Sequence, residues 1–289
     1  MPHSPPAALA ADASTFEHIV RLERVDMTYG RVQALSQIDL AVGRNEIVGL
    51  IGDNGAGKST LIKIISGVLR PTAGTVWIRD KRVDPASYSV RLAHDLRIET
   101  VHQGQSLGEK QPLWRNLFVG RQIVGRFGFI DIKREKQIAN QLLRQAIGFR
   151  SQAITADSTV RDLSGGERQG IAIARAMHFQ ADLIVLDEPT TALAVNEVRK
   201  VLAFVEGVKT GGRACIYIEH NLAHVYEVAD RLVILDRGKI VRDLKKGELT
   251  LAELTNLMIA LHTARPSGPG GPGGPGEPGE HDGHGDGRA

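Results

Sequence analysis

Residues 46–68 read EIVGLIGDNGAGKSTLIKIISGV, and the order of textures within them decides the fold. Residues 46–51 are a short apolar, β-branched run, the composition of a buried strand. From Lys58 onward, Leu61, Ile64, Ile65 and Val68 recur at helical spacing, which predicts an amphipathic helix ended by Pro71. Between the two, GDNGAGKST (52–60) fits G-x-x-x-x-G-K-[ST], in which Gly52, Gly55 and Gly57 let backbone N–H groups close around a phosphate at a helix start. Lys58 would reach the β and γ phosphates of a nucleotide. Ser59 would offer its hydroxyl to Mg2+, and Thr60 would help close the cradle, with Asn54 in the same loop. A chance match in a chain this long has odds on the order of one in a hundred. A plain glycine-rich turn is the weaker reading.

The same texture repeats further along. Residues 183–186, 214–218 and 231–235 read as strands between helical stretches, the alternation of an α/β domain with a largely parallel sheet. Residues 105–162 lack obvious strands and carry helical runs such as 133–147, so they predict a mostly helical insertion. No internal repeat is visible.

Two further motifs carry chemistry. LIVLDEPT (183–190) is an apolar strand that delivers two adjacent carboxylates at its C-terminal end, where α/β proteins place ligands. Asp187 would face Mg2+, and Glu188 would orient and deprotonate an attacking water. A lone Asp-Glu pair is ordinarily a solvated turn; four preceding apolar residues and the upstream loop favour the functional reading. LSGGE (163–167) has capping-box spacing between Ser164 and Glu167, which by itself needs nothing more than a well-capped helix. Ser164, Gly165 and Gly166 also make that helix start a second anion site.

The whole chain has 289 residues, 42% hydrophobic and 24% charged, which excludes global disorder. Its net charge of +3 is too small to argue for nucleic acid, and no nucleic-acid partner is expected. The single cysteine, Cys215, excludes an intramolecular disulfide and reads as a small core residue in a strand. No apolar run approaches the ~20 residues that span a bilayer, and the first residues lack the pattern of a signal peptide. A soluble, intracellular chain that meets a membrane through a partner is expected. Residues 1–16 and 263–289 have the composition of disordered arms. Residues 266–289 carry a net charge of −3, which leaves +6 on residues 1–265. A metal on His281 and His284 in such a tail is disfavoured.

With these motifs in order, the chain from about residue 19 to about residue 261 resembles the nucleotide-binding subunit of ATP-binding cassette (ABC) transporters. GDNGAGKST resembles the family's Walker A motif, LIVLDE its Walker B motif and LSGGE its signature. The resemblance implies an α/β P-loop NTPase cassette over residues 17–262. It would have a RecA-like core, an N-terminal antiparallel β subdomain and an α-helical subdomain at about 105–165. It also implies that Tyr29 stacks on adenine, that Gln103 in VHQG is the Q-loop glutamine, a catalytic residue that also binds Mg2+, and that His220 in IYIEHN contacts the γ-phosphate of ATP. Two cassettes would pair head to tail, so that Ser164 and Gly166 of one complete the Walker A site of the other. The implied partners are a second cassette, with a homodimer the simplest case, transmembrane permease subunits docking around residues 103–116, and indirectly a solute-binding protein. The implied place is the cytoplasmic face of the cell membrane.

Two positions depart from the family pattern. Ala194 stands where an Asp usually follows Walker B, and Glu219 stands where a Ser or Thr usually precedes the histidine. The stretches LWRNLFVGR and HNLAHVYEVADRLVILDRGKIV are similar to ATP subunits of importers for ribose, xylose, fructose and related sugars. The alternatives are the same engine in a branched-chain amino acid importer or an exporter, and a soluble cassette acting on ribosomes or DNA. The chain shows neither the second cassette nor the long coiled-coil insertion of the soluble members.

Overall fold

A computed structural model of the chain describes residues 17–101, 108–145, 154–191, 193–209 and 212–263. Two long strands, β1 (His18–Tyr29) and β2 (Val32–Gly43), precede β3 (Ile47–Ile51) and helix α1 (Lys58–Ile65). Next come β4 (Ala73–Ile78), β5 (Lys81–Arg82), α2 (Val90–Asp95) and β6 (Ile98–Val101). Helices α3 (Leu113–Leu117) and α4 (Ile132–Gln145) form the insertion and lead into α5 (Gly165–His178). The chain finishes with β7 (Leu183–Asp187), α6 (Val195–Val208), β8 (Ala214–Ile218), α7 (Leu222–Val228), β9 (Arg231–Asp236), β10 (Lys239–Lys245) and α8 (Leu251–Thr263).

The strands form two sheets. One is antiparallel, in the order β2-β1-β4-β5. The other runs β10-β9-β3-β8-β7-β6, with every pair from β9 to β6 parallel and only β10 antiparallel at its edge. Parallel strands covered on both faces must be apolar throughout, which is why all five residues of β3 and of β8 are buried. Side chains alternate between two cores. Val48, Leu50, Val185 and Ile216 face the core shared with α1 and the antiparallel sheet. Ile47, Ile184, Leu186 and Tyr217 face the core shared with α5, α6, α7 and α8. Gly49 points the same way as Ile47, and a Cβ there would lie 2.3 Å from Val225 Cγ1.

The insertion has its own core, built by Leu113, Trp114, Leu117, Phe118, Ala139, Leu143 and Val160, with Leu163 and Ile171 from the α5 side. Helix α5 is the wall between this core and the second one, to which it gives Ala172, Ile173 and Ala176. Cys215 is fully buried in β8, where burial pushes its thiol pKa up, as a structural core residue requires.

One expectation is corrected. The stripe after Lys58 runs to Val68, but α1 stops at Ile65 and Val68 is 51% exposed. The chain turns at Gly67, whose φ is +74°, and a Cβ there would lie 2.5 Å from the Ser89 carbonyl carbon. Only glycine admits that backbone, so the turn, not Pro71, sets the helix end. The two end segments expected as arms lie outside the described residues, apart from Thr263, which closes α8. Among the described residues no helix is long and apolar enough to cross a membrane.

Candidate functional site

Because β3, β7 and β8 are parallel and in register, their C-terminal ends open on one edge of the sheet. Leu50 pairs with Ile218, and Ile218 with Asp187. The segments that follow, 52–57, 188–190 and 219–221, therefore meet there, as α/β topology predicts for a ligand site. A further parallel strand, β6, leads toward Gln103, which lies outside the described residues.

The glycine loop takes the shape its sequence requires. Gly55 and Gly57 have φ of +80° and +110°, and Gly57 caps α1. A Cβ on Gly52 would meet the Leu235 carbonyl oxygen at 2.3 Å, whereas one on Gly55 would meet nothing within 4 Å. The loop is thus anchored by the β9 edge at Gly52 and open at Gly55. Lys58 is 8% exposed, and its Nζ donates to the carbonyls of Gly52 and Asp53 at 2.5 and 3.1 Å. Burial holds its pKa below the usual lysine value, against the opposing pull of the Glu188, Asp53 and Asp187 carboxylates. The ammonium and the carboxylates predicted from two separate motifs thus share one electrostatic site. Ser59 is exposed on the first turn of α1, and Thr60 is half-buried beside it.

Asp187 ends β7 and Glu188 follows it in the left-handed region, with φ of +50°. That conformation costs a non-glycine residue on the order of 1–3 kcal/mol and marks a backbone over-determined by its surroundings. Glu188 Oε1 lies 2.7 Å from His220 Nε2, with the two side chains 26% and 49% exposed. Behind them, Glu219 is buried and accepts from the Thr190 backbone N–H, the Thr190 hydroxyl and the His220 N–H. Mg2+ takes few protein oxygens and completes its shell with phosphate and water. The Ser59 hydroxyl and the Asp187 carboxylate suit that habit, and among the described residues no cluster of three His, Cys, Asp or Glu offers an all-protein cage.

Tyr29 closes β1 with 43% of its surface exposed. Its register partner is Val32, and two residues further Ala34 and Leu35 crowd Gly57, where a Cβ would lie 2.8 Å from each. The hairpin that Tyr29 closes therefore packs on the glycine loop through Ala34 and Leu35.

Ser164, Gly165 and Gly166 open α5 with the capping box intact: the Glu167 N–H donates to Ser164 Oγ at 3.2 Å, and the Ser164 N–H to Glu167 Oε2 at 2.9 Å. Two neighbours here escaped the sequence reading. Glu197 Oε1 accepts from the Ser164 hydroxyl at 3.4 Å, and its Oε2 accepts from the Ala194 N–H at 3.2 Å. Its spacing from Ala194 is that of a capping box with a single working arm, the one signal that could have exposed it. Asp53 Oδ2 lies 2.9 Å from His262 Nδ1, so α8 touches the glycine loop across 209 residues of sequence.

A protein-family model described as ABC transporter matches residues 35–191. The xylose/arabinose import ATP-binding protein XylG of Sulfolobus acidocaldarius is 40% identical over 83% of this chain and 93% of its own length. The ribose import ATP-binding protein RbsA of Caldanaerobacter subterraneus subsp. tengcongensis is 31% identical over 84% of this chain. The chain spans about half of that relative's length, 48%. Among solved structures, a dimeric ATP-binding cassette bound to ADP and Pi in a post-hydrolysis state superposes with a TM-score of 0.64 at 25% identity. That match covers 80% of this chain and 100% of the other.

Proposed function

The chain belongs to the ABC transporter family, and from that membership we propose that it is the ATP-hydrolysing subunit of an importer for a simple sugar. The observation that carries the reading is the contact between Glu188 and His220 at 2.7 Å, on the sheet edge that also holds buried Lys58. In this reading Gly52, Asn54, Gly55, Gly57, Lys58, Ser59 and Thr60 hold the phosphates of ATP, and Tyr29 stacks on the base. Ser59, Asp187 and Gln103 would hold Mg2+, which would supply charge neutralisation at the phosphates. Glu188 takes a proton from the attacking water while His220 and Gln103 fix the geometry around the γ-phosphate.

Ser164, Gly165 and Gly166 act on the nucleotide of a second cassette, the simplest case being an identical copy. ATP closes the pair and hydrolysis reopens it. The cassette spans residues 17–262 with its helical subdomain at about 105–165, and it works on the cytoplasmic face of the membrane. Its partners there are permease subunits, with a solute-binding protein acting on them from the far side. The import names of the relatives support sugar as the solute.

Glu188→Gln is expected to keep ATP binding, to elute as an ATP-dependent dimer in size exclusion, and to lose hydrolysis by roughly 100-fold or more. Hydrolysis at the wild-type rate would remove Glu188 from the role of base. For the solute, the complex with its permease is expected to show ATPase stimulated by a pentose or hexose. Stimulation by a branched-chain amino acid would select the other importer class.

A further inference from the structure

We infer that Glu219 is a positioning residue for hydrolysis: its buried carboxylate replaces the next rung of the β7–β8 ladder and thereby holds Glu188 in the backbone conformation that aims it at His220. The inference rests on the assignment of Glu188 and His220 to hydrolysis.

The geometry is a continuation of the sheet by a side chain. The parallel β7–β8 ladder pairs Asp187 with Ile218, and the Glu188 N–H still donates to the Ile218 carbonyl at 2.9 Å. There the backbone ladder ends. Two residues on, the Thr190 N–H donates instead to Glu219 Oε1 at 2.8 Å, and the Thr190 hydroxyl donates to the same oxygen at 2.5 Å. The other carboxylate oxygen, Oε2, accepts from the N–H of His220 at 3.2 Å. One side chain thus ties the segment after Glu188 to the start of the segment that carries His220.

Between the Ile218 rung and the Thr190 rung the chain has only Glu188 and Pro189 in which to turn. Proline fixes its own φ, so the turn falls on Glu188, which takes φ of +50°. A carboxylate only 5% exposed is costly unless its lone pairs are used, and three donors use them here. The shorter serine or threonine of the family pattern lacks the second acceptor oxygen and the reach to serve Thr190 and His220 together. The departure noted in the sequence is therefore a built contact, placed one residue from one reacting group and joined to the other through Thr190.

The test compares Glu219→Ala and Glu219→Gln with Glu188→Gln in the full-length protein, measuring kcat and KM for ATP, the affinity for a fluorescent ATP analogue, and thermal unfolding. Misplacing a reacting group by about 1 Å can cost up to ~100-fold. Glu219→Ala is expected to lower kcat by between ~10-fold and ~100-fold with KM and analogue affinity within about twofold of wild type. Glu219→Gln keeps an amide oxygen for Thr190 but turns its NH2 toward the His220 N–H, so it is expected to recover part of the loss, with an unfolding profile between those of the Ala variant and wild type. A wild-type kcat in Glu219→Ala, while Glu188→Gln is inactive, would overturn the role of Glu219 alone. So would a loss in Glu219→Ala that appears equally in KM and analogue affinity, or a Gln variant as slow as Ala. Wild-type hydrolysis by Glu188→Gln would overturn the assignment on which the inference stands, and the inference with it.

Discussion

Lys58 shows how the fold sets a single side chain of the proposed phosphate site. Its ammonium is buried, satisfied by two carbonyls of its own loop, and held below the usual lysine pKa by that burial. Hydrogen bonds to charged groups contribute about 1.5–3 kcal/mol, so Lys58→Ala is expected to weaken ATP binding by roughly 10-fold to 100-fold in calorimetry. An unchanged affinity would place the phosphates elsewhere. At this scale the sequence was legible wherever the chemistry demands a local pattern. A loop of the G-x-x-x-x-G-K-[ST] type sets its glycines, its lysine and its hydroxyls within nine residues (52–60), so the whole device is visible as one local pattern. Glu219 and Glu197 were not legible as contacts, because Thr190 and Ser164 stand 29 and 33 residues away and only the fold brings each pair together. The left-handed backbone of Glu188 leaves no trace in composition at all.

Among the elements, the parallel strands β3, β7, β8 and β9 were readable because burial on both faces forces unbroken apolar runs, while β6, whose IETV carries Glu99 and Thr100, and the antiparallel strands were not. Strand β1 loses its alternation at bulges between Leu22 and Val25 and again after Val25, and Arg24 takes a positive φ there. A period of two that slips in mid-strand has no clean signature. Packing between elements makes its own demands. Helix α5 meets Glu197 of α6 so closely at Gly166 that a Cβ would lie 2.4 Å from the Glu197 Cδ. Gly166→Ala is expected to displace the end of the Glu197 side chain and lower hydrolysis, with stability in urea unfolding within about 1 kcal/mol of wild type because that side chain is free to turn away; hydrolysis at the wild-type rate would mean that the position of Glu197 is immaterial. The joint between α2, β6 and α5 has a pH signature. His94 is pushed down to about 4 by burial, with Arg121 and Arg175 acting in the same direction and Asp95 against them. Nearby Glu99 gives its charge to Arg121 at 2.6 Å. The imidazole is therefore neutral in the fold and takes up a proton on unfolding from about pH 6.5 downward. Its share of stability is complete above pH 6.5 and is lost as pH falls toward 4. His94→Gln is expected to flatten that limb in urea titrations across the same window, and an unaltered slope would assign the acid sensitivity to other groups.

For the molecule as a whole, the proposed head-to-tail pair makes each site the property of two chains. Lys58→Ala and Ser164→Arg are each expected to be inactive alone, since both sites of either homodimer are damaged. Mixed in equal amounts they form heterodimers in which one site is intact and the other carries both lesions. About one-quarter of wild-type ATPase is expected to return on mixing, counted from half the dimers with one of two sites intact. A mixture as inactive as its components would exclude sharing in trans. Helix α5 gives this arrangement a further property. It lends Ile171 to the core of the insertion and Ala172, Ile173 and Ala176 to the core of the body. A helix cemented on both sides can follow only one of them when they part. If the insertion tilts, either Ile171 or the opposite face must slide, and the amides at Ser164 swing with whichever side keeps its grip. In the proposed pair, the relative strength of these two apolar contacts would decide whether Ser164 follows the insertion or the body.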